Sequence, residues 1–210
     1  GWGIALYVLL RILLTAPSED KRHARVTSVA LIMGWFGVAA YLVWLVTGAA
    51  LALDCARVAG IWFFLLPIVL TVSHRMIPFF SSRVLENYEM VRPFWMLWLM
   101  LACIAAHGLL QCFELTAYQW LVDFPLAGCA LYLSYRWQFQ RSFKISLLAV
   151  LHISFAWLGV AMLMYGVQSL VYFTSGSFIL GLAPLHALGI GYFSGMILAM
   201  ASRVTLGHSG

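Results

Sequence analysis

Several stretches of this chain run for about 20 residues with almost no charged side chain, the length an α-helix needs to cross a bilayer. Lipid offers the backbone no hydrogen-bonding partner, so only helices or closed barrels can span it. These runs are too long and too continuous for barrel strands. The composition agrees: 64% of residues are hydrophobic and 9% charged, which does not suit a water-soluble domain of 210 residues. The predicted fold is all-α, a polytopic transmembrane bundle.

Seven helices are expected, over residues 1–14, 26–51, 57–80, 93–112, 117–136, 145–173 and 179–203. The connections are short and lack any low-complexity tract, so residues 1–210 are read as one bundle. Gly1 already lies in an apolar run with no charged segment ahead of it. The start is not read as a signal peptide, and a portion of a longer protein is expected. The cysteines Cys55, Cys103, Cys112 and Cys129 have no paired spacing and imply no disulfide framework.

Charge sets the expected orientation. Of the 12 Lys and Arg residues, all but Arg57 fall at alternate connections or at the C-terminal end. This is the pattern of positive charge on the cytoplasmic side. The first helix should start outside and the C-terminus should be cytoplasmic. Such clusters are orientation signals and not a nucleic-acid surface. No glycine-rich nucleotide motif occurs, and nothing points to Ser/His/Asp hydrolysis. For residues 83–92, an interfacial amphipathic segment and a solvated loop both fit the mixed charges.

Five of the six histidines sit in or at the ends of apolar runs: His74, His107, His152, His186 and His208. Ionisable groups at membrane depth face a bundle interior and mark functional sites, and neutral imidazole is a common metal ligand. The expected orientation sorts them into an outer pair, His107 and His186, and an inner group, His74, His152 and His208. Met96, Met100, Cys103, His107, Gln111 and Glu114 share one helical face, a donor set that suits copper; core filling by Met is the structural alternative. His152, Gly159 and Gly166 recur at heptad spacing, either admitting a flat macrocycle or packing helices closely. Ala187, Gly191, Gly195 and Ala199 form a seam of small residues, read as structural. His186, Phe193 and Met200 share the neighbouring face, compatible with an axial haem ligand. Arg75 and Arg203 can either snorkel to headgroups or pair with haem propionates. Pro67 and Pro78 should bend or end the third helix.

At His74-Arg-Met-Ile-Pro-Phe-Phe80, Leu151-His-Ile-Ser-Phe-Ala-Trp-Leu158 and Arg203-Val-Thr-Leu-Gly-His-Ser-Gly210, the chain resembles the NnrS family. These motifs lie in helices 3 to 7 and suggest the C-terminal portion of such a protein. The resemblance implies a multi-pass bacterial inner-membrane protein containing haem and copper and linked to the response to nitric oxide and nitrosative stress. It also implies metal-ligand status for His74, His186 and His208. Membrane lipid, nitric oxide or a related small molecule, and an electron donor of unknown identity are the implied partners. The competing readings are a haem-copper-oxidase-like enzyme reducing nitric oxide or oxygen, and a transporter or structural subunit without a cofactor.

Overall fold

The structure is a computed structural model that describes residues 1–17 and 20–208, and every regular element among these residues is helical. The helices are α1 (Trp2–Thr15), α2 (Arg22–Thr47), α3 (Ala50–Val84), α4 (Phe94–Cys112) and α5 (Trp120–Arg136). They continue with the short α6 (Phe139–Ser142), then α7 (Ser146–Ser175) and α8 (residues 183–208). Each of the seven apolar runs is a helix. Among the described residues α2, α3, α4, α7 and α8 are long and apolar enough to cross a membrane. A polytopic helical membrane protein follows.

Helix ends differ from expectation where local chemistry overrides hydropathy. α2 begins at Arg22 because Asp20 accepts both the Arg22 backbone N–H and its guanidinium. That contact holds the Asp20 carboxyl down at about 2. α2 ends at Thr47 because Gly48 adopts φ 70°, a left-handed cap that glycine enters freely, and its N–H returns to the Trp44 carbonyl. α3 starts at Ala50, seven residues before expectation, and carries the Asp54–Arg57 ion pair on an exposed turn. α3 also runs through both prolines. A π-helical stretch, Ala59–Leu65, lies directly before Pro67. Widening the helix there accommodates a ring that has no N–H to give and crowds the preceding turn.

Residues 85–93 are turn and extended chain, with no interfacial helix. Side chains satisfy its carbonyls: Arg141 donates to Glu86 O at 2.6 Å and Trp137 Nε1 donates to Val91 O at 2.8 Å.

Contacts cluster into two units, residues 1–72 with 104–114 and residues 73–103 with 115–210. In the first, α1 packs on α2, and α2 packs on the start of α3 and its π-helical stretch. In the second, α7 is central and packs against α5 and α8. Its buried face is Leu148, Leu151, Phe155, Leu158 and Met162, spaced three or four apart. Lipid tails are as apolar as these residues, so close van der Waals fit holds the helices together. Gly159 and Gly166 create that fit. A Cβ at Gly159 would stand 2.7 Å from Leu131 of α5, and one at Gly166 2.7 Å from Phe124. These heptad glycines thus pack helices. The small-residue seam of α8 does the same, since Gly191 lies under Trp157 and Gly195 against Ser154 of α7. Ser169 of α7 joins the start of α5, donating to Thr116 O at 2.7 Å and accepting from Trp120 N at 3.0 Å.

Gly159→Leu should therefore destabilise the protein by about 1–3 kcal/mol through overpacking. Gly128→Ala, where a Cβ meets nothing within 4 Å, should leave stability within about 0.5 kcal/mol. Thermal melts of both variants in the same detergent check this contrast.

Candidate functional site

Three imidazoles are withdrawn from the surface: His74 is 0% exposed, His107 1% and His152 1%. In the first unit His107 lies over Trp62, with ring centroids 3.6 Å apart and planes 30° from parallel. Two local features make the stack. Trp62 belongs to the π-helical stretch before Pro67, and Gly108 lets the α4 backbone come close. A Cβ on Gly108 would stand 2.9 Å from Trp62 Cβ and 2.8 Å from the Phe63 ring. The stack covers one imidazole face, while the ring nitrogens lie in the ring plane, where a proton or a metal is held.

In the second unit His152 is fixed by a hydrogen bond. Its Nε2 is 3.0 Å from Ser81 Oγ, and Ser81 Oγ also donates to the Ile77 carbonyl at 2.9 Å. A hydroxyl has one proton, and a carbonyl can only accept. Ser81 therefore gives its proton to Ile77, and His152 must donate Nε2–H to Ser81. Nδ1 is then the nitrogen carrying the lone pair. Tyr88 sits beside this contact; burial pushes its phenol up to about 12, against a weaker opposing pull from Ser81.

His74 occupies an aromatic enclosure, 5.7 Å from the Phe94 ring and 6.2 Å from Trp137. Trp137 stacks on Phe155 at 4.7 Å, and Phe155 meets Tyr192 at 6.3 Å. The neighbouring Ser73 hydroxyl is 3.3 Å from the Tyr192 hydroxyl. His74 and Ser81 are seven residues apart on α3, hence about 10 Å along its axis. The rings of His74 and His152 consequently sit at different depths.

The remaining expected site residues are placed less uniformly. His186 is exposed at the start of a second π-helical stretch, Ala187–Ser194. His107 belongs to the first unit and His186 to the second. The side chain of His208 lies outside the described residues. Arg75 is exposed, and Arg203 is half-buried with its guanidinium 5.2 Å from the centre of the Phe80 ring. Along α4, Met96, Met100 and Cys103 are buried while Gln111 and Glu114 are exposed. Among the described residues no three His, Cys, Asp or Glu side chains converge on one point. A three-donor copper set is therefore not assembled by these residues.

Sequence reasoning missed Ser81, Trp62 and Tyr192, the groups that orient or enclose these sites. Ser81 lies seven residues after His74, on the same face of α3, and that spacing was the available signal. It also missed Asp123, an acidic side chain wholly buried in the first turn of α5, where the helix dipole favours negative charge.

Membrane-length helices that bury imidazoles define a polytopic membrane protein with ionisable groups in its interior. The family model described as NnrS protein matches residues 2–210, nearly the whole chain and not only the helices that carry the motifs. The chain belongs to the NnrS family. No curated protein and no solved structure matches it.

The Ser81 geometry predicts the Nε2–H tautomer for His152, read from the ring nitrogen shifts of ¹⁵N-histidine-labelled protein. An Nδ1–H tautomer would contradict it. Ser81→Ala should cost about 1–3 kcal/mol in a thermal melt, because it strands a buried donor.

Proposed function

We propose that this protein is an inner-membrane haem- and copper-containing component of the response to nitric oxide and nitrosative stress, with its C-terminus in the cytoplasm. The observation that carries the reading is the presence of imidazoles within apolar helices, with His74, His107 and His152 buried and His186 exposed on α8. Retaining such groups in a low-dielectric interior is costly, and coordination of a metal is one function that offsets the cost. Membership of the NnrS family supports the same direction.

The residues fit a haem better than they fit copper. A haem would need only one imidazole from this chain, and His186 stands open at the helix surface with Phe193 two turns along α8. Arg203 lies over Phe80 seventeen residues along α8 from His186, about 25 Å by the helical rise, too far to meet a propionate of a haem held by His186; Arg75 is exposed on α3, and its planar fork would suit a propionate. A haem held this way supplies an iron that binds diatomic ligands. This chain would contribute the exposed His186 imidazole nitrogen and, from Arg75, a guanidinium for a carboxylate. Copper, by contrast, requires donors in addition to those that converge here, so no step is assigned to it.

Purified full-length protein should show a Soret band that is lost in His186→Ala and retained in His23→Ala. His23 lies at the start of α2, close to the ion pair between Asp20 and Arg22. Metal analysis on the same samples should find iron and copper. Absence of both the Soret band and copper would end the metal reading and favour a transporter or structural subunit.

A further inference from the structure

A cleft of about 560 Å³ opens in the second unit where α5 ends and α7 begins. It carries no histidine, so it is separate from the sites above. Its lining changes character along its length. Arg136, Arg141 and Glu89 line the cleft near the helix ends, with Phe139 beside Arg141 on α6, while Leu131 and Ala156 line it further along α5 and α7. Leu131 is five residues before Arg136, about 7 Å deeper along α5. Ala156 is ten residues into α7, about 15 Å from its start. One recess therefore runs from a cationic boundary into the depth occupied by acyl chains.

The two guanidiniums differ. Arg141 is partly committed, donating to Glu86 O at 2.6 Å and to Gln138 Oε1. Those bonds fix the short connection 137–145 against residues 85–93. Arg136 is exposed and, among the described residues, makes no hydrogen bond or ion pair. Glu89 forms no ion pair with either arginine among the described residues. Two positive groups against one negative leave the polar end with a net positive charge.

We propose that this cleft binds an anionic phospholipid, its phosphate on Arg136 and Arg141 and one acyl chain along Leu131, Phe139 and Ala156. Arginine meets phosphate oxygens with two parallel hydrogen bonds, and these are stronger in a partly desolvated cleft. A phosphatidylcholine presents the same phosphate, but its own ammonium cancels the charge. Net charge, and not the phosphate alone, is what the cleft distinguishes. An inorganic phosphate would fill the cationic end and leave the apolar part without an occupant.

Native mass spectrometry of the full-length protein, titrated with phosphatidylglycerol or phosphatidylcholine, tests the assignment. The expected result is about a tenfold preference for phosphatidylglycerol, equivalent to about 1.4 kcal/mol. Arg136→Gln should abolish the preference, and Arg11→Gln, at the end of α1, should retain it. Ala156→Phe fills the apolar part without changing any charge and should also weaken phosphatidylglycerol binding. Melts of each variant in neutral lipid confirm that it is folded, and Ala156→Phe decides the matter should Arg136→Gln unfold. Equal binding of the two lipids, or the same loss with Arg11→Gln, would overturn the proposal. So would displacement of the lipid by inorganic phosphate with no effect of Ala156→Phe, which would identify a plain anion site.

Discussion

A bilayer contains no water to satisfy a stray hydrogen-bonding group, and this one constraint shapes every level of the structure. It makes the backbone helical throughout its apolar runs. It also makes each polar side chain inside those runs answer for its own protons. Ser81 passes its proton to Ile77 and takes one from His152, so a single hydroxyl satisfies an imidazole and fixes its tautomer. Ser169 joins two elements by the same logic, receiving from the start of α5 and giving to Thr116. Flat aromatic surface also lies against the buried imidazoles: Trp62 under His107, and Phe94 with Trp137 around His74.

That division gives the histidines different chemistry. His152 is held by Nε2 and presents Nδ1. His107 is held by a face and keeps its nitrogens in plane. His186 is exposed on α8. A uniform cluster of ligands would need these rings on one point, and the described residues do not converge in that way.

Much of the architecture was legible because spanning a bilayer demands length, and length is visible in a sequence. The small-residue seam of α8 and the heptad glycines of α7 were equally readable, since only missing side chains allow Trp157 and Leu131 to lie so close. Helix ends were less readable. Asp54 and Arg57 look like loop charges, yet they pair across one helical turn and stay exposed on α3. The π-helical stretches left no pattern beyond Pro67, and Trp62, which meets His107, lies within the first of them. The exposure of His186 was hidden for another reason. Its heptad face adjoins the seam, and which of two adjacent faces turns inward depends on α7, far away in sequence. Family membership was visible in the motifs, and it extends over residues 2–210.

The central claim is that imidazoles inside this helical protein hold a metal that meets nitric oxide. Infrared difference spectroscopy of the purified full-length protein, exposed to nitric oxide and then to its ¹⁵N form, tests it most directly. The account predicts a nitrosyl stretching band that shifts to lower frequency with the heavier isotope and disappears when the intramembrane histidine that binds the metal is replaced by alanine. A spectrum with no isotope-sensitive nitrosyl band, from protein shown to contain its metals, would contradict it.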